Sequence, residues 1–135
     1  FLFVFNSTDG SQIKFQWKAS QDLEKDKKFN KQLIDAIFQY ILPGVIKKVS
    51  KQLKFTYNNT VKIGHCSITK AGIEFDTKGW LFSKSNFIPW SRVEFNIENG
   101  DLVVKDKFST KIKTALSLRE VDNAFILQFL QETMN

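Results

Sequence analysis

Cysteine and histidine each occur once in this 135-residue chain, as Cys66 and His65, which excludes a disulfide framework or a structural zinc site built from this chain alone. Two prolines and six glycines leave few breaks in regular structure. Arginine is confined to Arg92 and Arg119, whereas base-specific reading of nucleic acid favours bidentate Arg. No run reaches the ~20 apolar residues of a membrane span; the stretch 33–46 is interrupted by Asp35, Gln39 and Pro43. Residues 1–5 are too short for a signal-peptide core and lack a basic flank. No GxxxxGK[ST] or GxGxxG stretch occurs, so a nucleotide site of known type has no support.

What is present is an ordinary soluble-globular balance of 42% hydrophobic and 25% charged residues, at a length that suits a single core. Fourteen Phe favour sheet faces. The net charge of +6 is uneven, because ten of the lysines fall in residues 1–54 against five acids. A basic face of this kind attracts phosphate, anionic lipid or an acidic partner, while a solvated helix face is the plainer reading. The chain opens on a strand-like run without an initiating Met, so a fragment of a larger protein is expected.

Periodicity orders the elements. Residues 1–5 and 12–18 flank Asp9-Gly10, and Ile13, Phe15 and Trp17 alternate with polar residues, which predicts a β-hairpin. Ser20 is placed to cap a helix with Asp22 and Glu24 in its first turn. Leu23, Ile34, Ile37, Phe38, Ile41, Val45 and Val49 recur at helical spacing, with Lys47, Lys51 and Lys54 on another face. Pro43-Gly44 should kink or split this helix. Strands are predicted at 60–63, 66–70, 72–76, 79–82, 86–90, 93–97, 102–105 and 110–114, with Asn99-Gly100 the strongest hairpin signal. A terminal helix over 122–133, capped by Asp122, carries the apolar stripe Val121, Phe125, Ile126, Phe129 and Leu130.

Four stretches carry a resemblance. They are Val61-Lys-Ile-Gly-His-Cys-Ser-Ile-Thr-Lys-Ala-Gly-Ile-Glu-Phe75, Phe87-Ile-Pro-Trp-Ser-Arg-Val93, Ile97-Glu-Asn-Gly-Asp-Leu-Val103 and Val121-Asp-Asn-Ala-Phe-Ile-Leu127. Together they resemble a bacterial-type PH-like domain, in a family of unknown function whose PH-like unit follows a hairpin and a long helix. The resemblance covers 55–133, and 1–54 only by element order. It implies an α+β fold: a PH-like antiparallel β-barrel over 55–135 closed by the C-terminal helix, preceded by a hairpin and helix over 1–54. Family members with tandem units imply that 1–54 is the end of a truncated first unit.

Convergent catalytic groups are missing from the pattern, so no enzyme, metal, cofactor or small-molecule substrate is expected. His65 and Cys66, adjacent on a strand, would point to opposite sides, and Cys66 reads as a small buried side chain. Glu74 and Asp76 share a strand face as a solvated pair, and Trp90 reads as core. The expected function is a non-catalytic binding module for an anionic membrane surface or an acidic protein partner. Lys70, Lys78 and Lys84 supply charge from turns, Trp80, Leu81 and Phe82 an apolar tip, and Lys47, Lys51 and Lys54 a helix face. The competing reading makes Trp80 and Phe82 half-buried residues of the strand 79–82. A protein-interaction or self-assembly domain is the second class, taking another strand or helix at open sheet edges or in the groove beside the terminal helix, or forming a homo-oligomer through edge pairing; nucleic-acid binding ranks last. A cytoplasmic location is expected, at the membrane surface through upstream sequence.

Overall fold

The computed structural model describes residues 2–6, 12–16, 23–55 and 60–135, the first two segments as backbone only. Strands β1 (Leu2–Asn6) and β2 (Gln12–Gln16) pair antiparallel, Phe3 opposite Phe15, as the hairpin reading requires. The Asp9-Gly10 turn, Trp17, and the Ser20 cap with Asp22 lie outside the described residues.

The long helix is interrupted where proline forces it, but upstream of the expected point. Helix α1 (Leu23–Ala36) gives way to a π-helical turn over Ile37–Ile41, and α2 (Leu42–Phe55) runs on through Pro43 and Gly44. Pro43 offers no N–H to the carbonyl four residues back and its ring crowds that carbonyl, so the preceding turn widens. Of the expected apolar face, Ile37 is buried, Ile41 half-buried, and Ile34 and Phe38 exposed. The rings of Phe38 and Phe129 meet edge to face at 5.5 Å. Helix α2 supplies the main contact with the sheets: Leu42 and Leu53 are buried in their core, and Val45, Ile46 and Val49 pack against it.

Beyond residue 60 the fold is α+β, with two antiparallel sheets and a terminal helix. The first sheet is a meander of β3 (Val61–Ile63), β4 (Cys66–Ile68), β5 (Gly72–Lys78) and β6 (Ser83–Pro89). The second contains β7 (Val93–Glu98), β8 (Asp101–Asp106) and β9 (Ser109–Ser117). Gly72 is required by close approach, since a Cβ there would stand 2.1 Å from the Ile88 carbonyl oxygen. The Asn99-Gly100 turn joins β7 to β8 with φ values of 52° and 86°, the left-handed pair of a type I′ hairpin.

Three expectations are corrected. The strand at 79–82 does not form; β5 and β6 extend toward each other and leave those four residues as their connecting loop. The closed barrel is not seen: among the described residues no strand pair joins the two sheets. Pro89 ends β6 without an N–H to continue a ladder, and the 3₁₀ turn Trp90–Arg92 redirects the chain into β7. The terminal helix starts later than Asp122, as a 3₁₀ turn over Ala124–Ile126 followed by α3 (Leu127–Met134). Asn123, at φ 64°, takes the left-handed turn before it and makes no side-chain cap bond.

The two sheets, α2 and α3 nevertheless share one buried cluster. Leu127 and Leu130 of α3 are fully buried in it, whereas Phe125 is half-buried at its margin. Trp90 is core, 3% exposed, and its indole Nε1 donates to the Thr69 carbonyl at 3.1 Å.

Candidate functional site

The β5–β6 hairpin projects an apolar tip into solvent. Lys78 stands opposite Ser83 and Thr77 opposite Lys84, and the Gly79 N–H donates to the Phe82 carbonyl at 2.9 Å across the loop. This closure turns the loop side chains outward: Trp80 is 98% exposed, Leu81 75% and Phe82 83%. The half-buried reading of Trp80 and Phe82 is thereby overturned, because the loop has no sheet face against which to pack.

Side-chain alternation puts Lys78 on one face of the hairpin and Lys84 on the other, both exposed, so the tip is flanked by cations on two sides. Glu74 and Asp76 lie exposed on the Lys78 face, farther from the tip. The base is held by the buried Asn86, whose Nδ2 donates to the Lys84 carbonyl at 3.0 Å, the Phe75 carbonyl at 3.4 Å, and Thr77 Oγ1. Thr77 Oγ1 in turn donates to the Lys84 carbonyl at 3.3 Å. An apolar tip thus sits on a hydrogen-bonded stem.

The other expected lysines are elsewhere. Lys70 is exposed on the β4–β5 turn, at the opposite end of the seven-residue β5 and so about 20 Å from the tip. Gln131 of α3 donates to the carbonyls of Trp90 at 3.1 Å and Val93 at 2.6 Å, which places α3 beside the far end of β6. Lys54 donates to the Thr133 carbonyl at 2.5 Å and belongs to that end too. Lys47 and Lys51 are exposed on the preceding turns of α2. Of the expected set, the structure brings together Lys78, Lys84 and Trp80.

The groups considered for catalysis do not converge. His65 sits in the β3–β4 turn, not on a strand as expected, and its Nε2 is 2.5 Å from Thr114 Oγ1. Cys66 is fully buried, and burial pushes its thiol from an ordinary 9.0 up to about 11, against a smaller opposing effect of Lys62. It is a neutral thiol at physiological pH. Among the described residues no three His, Cys, Asp or Glu side chains gather to hold a metal ion, and no helix is long and apolar enough to cross a membrane.

The groove beside the terminal helix is an open cleft of about 440 Å³ between β7 and α3, lined by Phe95, Lys107, Phe129, Gln131 and Glu132 among others. Nothing in one sequence announces which sheet edge a helix will lie beside. No family model, curated protein or solved structure matches the chain.

Proposed function

We propose that residues 60–135 form a non-catalytic PH-like binding module that attaches to anionic membrane surfaces through the β5–β6 tip. Four strands, then three, then a helix packed into the core that both sheets share support the PH-like reading alongside the sequence resemblance. One observation carries the function: Trp80, Leu81 and Phe82 are all at least 75% exposed, and are flanked by Lys78 and Lys84. Adjacent bulky apolar side chains on an ordered loop are costly in water and favourable at a lipid interface, where Trp in particular partitions. The flanking ammonium groups reach headgroup phosphates while the apolar tip enters the acyl boundary.

Magnitudes set the mode of attachment. Two lysines contribute about 1 kcal/mol each near an anionic leaflet, and partial burial of the three apolar side chains adds a few kcal/mol. Glu74 and Asp76, on the Lys78 face, limit insertion to the tip itself. Attachment is therefore shallow, reversible and salt-sensitive, and is strengthened by any neighbouring anchor. Anionic lipid is concentrated in the cytoplasmic leaflet, the surface this reading assigns.

Vesicle co-sedimentation tests it. The chain should pellet with phosphatidylserine-containing vesicles at low salt and stay in solution with pure phosphatidylcholine. Trp80→Ala combined with Phe82→Ala should abolish pelleting without changing the melting temperature. A wild-type chain that ignores anionic vesicles at low salt sinks the proposal; an acidic protein then becomes the favoured partner of the tip.

A further inference from the structure

Within residues 60–135 the edge of β7 differs from the other sheet edges. The two sheets end in β3, β6, β7 and β9. Strand β3 has three residues and carries exposed Lys62; β6 carries Lys84 and ends at Pro89; β9 carries exposed Lys111 and Lys113. Short length, lysine and proline are the devices that keep edges from pairing. Strand β7, Val-Glu-Phe-Asn-Ile-Glu, has six residues with neither lysine nor proline, and its register with β8 is unbroken.

That register fixes which backbone groups face outward. The two-residue turn makes Glu98 and Asp101 a hydrogen-bonded pair, so Asn96–Val103 and Glu94–Lys105 are bonded pairs as well. Two independent bonds agree: Lys107 N–H donates to the Arg92 carbonyl at 2.9 Å, and Leu118 N–H donates to the Gly100 carbonyl at 3.1 Å. Val93, Phe95 and Ile97 therefore direct their N–H and C=O groups off the sheet. Val93 is already served, its N–H by the Trp90 carbonyl and its C=O by Gln131 Nε2 at 2.6 Å. The Gln131 amide thus supplies one rung of a ladder, and among the described residues the rungs at Phe95, which lines the cleft, and at Ile97 beyond it stand open. Reoriented to suit its neighbours, the Asn96 amide donates to the Phe95 carbonyl at 2.9 Å, which leaves that oxygen a second lone pair.

We infer that the β7 edge and the β7–α3 cleft bind an extended segment of a partner protein, added as an antiparallel strand, with alternating apolar and basic residues. Residues directly opposite share a face. Side chains opposite Phe95 and Ile97 turn toward the inner side, where half-buried Phe95 and Phe129 offer apolar contact. Side chains opposite Glu94, Asn96 and Glu98 turn outward; Glu94 is already paired with Lys105 at 3.2 Å and Lys107 also lines the cleft, so exposed Glu98 and Glu132 are the carboxylates that favour lysine or arginine. These two carboxylates stand on a chain of net charge +6, so they select a basic segment against the field of the whole molecule.

The test uses the isotope-labelled chain and an acetylated, amidated Val-Lys-Val-Lys-Val peptide. Saturable shifts of the Phe95 and Ile97 amide resonances are expected, with the rest of the sheet unmoved. The same peptide N-methylated on its valines, which cannot form the ladder, should bind at least about tenfold more weakly. Ile97→Pro removes an N–H that serves no bond among the described residues and should abolish binding with an unchanged far-UV spectrum. Glu132→Lys should weaken binding roughly three- to tenfold. Shifts confined to other surfaces, no saturable shift, or equal binding of the N-methylated peptide overturns the inference. So do Phe95 and Ile97 resonances that move on dilution of the chain alone, which would give the edge to a second copy.

Discussion

Arg92 grips the carboxylate of Asp106 with two hydrogen bonds, Nε to Oδ1 at 3.2 Å and an Nη to Oδ2 at 2.6 Å. The side chain of Asp106 is 1% exposed and that of Arg92 42%. Asp106 Oδ1 also accepts the Phe108 N–H at 2.9 Å, next to the irregularity where β8 meets β9, and Arg92 lies over the Phe108 ring. The asymmetry in exposure fixes the asymmetry of the mutants. Arg92→Ala strands a buried carboxylate and should cost about 3–5 kcal/mol, whereas Asp106→Ala leaves a guanidinium that water can reach and should cost about 1–2 kcal/mol. Chemical denaturation of both variants checks the order; equal costs would mean that the pair is held by packing alone.

Burial likewise ranks positions on the terminal helix. Leu130 is fully buried in the core that both sheets share and Phe125 is half-buried. Leu130→Ala should cost about 2–5 kcal/mol, and Phe125→Ala less despite removing more atoms, because part of its ring already faces water. Denaturant midpoints of the two variants measure this directly. A larger loss at Phe125 would place the helix in a different rotation about its axis.

The Cys66 thiol gives the fold an alkaline signature. Its ionisation is raised from 9.0 to about 11 in the folded chain by burial. Between those values the unfolded chain has released the proton and the folded chain still holds it, so stability present below pH 9 declines as pH rises toward 11. Cys66→Ala should flatten that decline. A thiol reagent should modify Cys66 only when denaturant opens the core; rapid reaction of the native chain would contradict the burial.

Local signals were legible in sequence and long-range ones were not. Asn99-Gly100 announced its hairpin because only φ-tolerant residues close a two-residue turn. Trp90 and Cys66 were readable as core from the strands around them. The tip was misread as a strand because Trp80-Leu81-Phe82 has high strand propensity, and only the Lys78–Ser83 pairing shows that both neighbouring strands run up to it. The α2 face was partly missed for a similar reason. Which residues of one amphipathic helix meet the sheets depends on the widened turn before Pro43, and periodicity alone does not locate it. The lysines of the candidate site were all named from sequence, but their grouping was not, because turns at opposite ends of β5 look alike in one dimension.

That grouping yields the sharpest test of the membrane reading. Lys78 and Lys84 flank the tip, Lys70 lies at the other end of β5, and Lys47 and Lys51 project from α2. The first pair flanks Trp80 in the hairpin and so reaches phosphates while that ring is in the interface. Removing two cations at about 1 kcal/mol each predicts roughly a thirtyfold loss of affinity for phosphatidylserine vesicles, and reversal to Glu more. Lys78→Glu with Lys84→Glu should therefore abolish co-sedimentation at low salt. Lys70→Glu, or Lys47→Glu with Lys51→Glu, should change it by a few-fold through net charge alone. Lys54 is best left intact, since its bond to the Thr133 carbonyl joins α2 to α3 and its loss would confound binding with stability. If the α2 pair carries the binding and the tip pair does not, the membrane-facing surface is the helix, and the exposed Trp80 tip needs another partner.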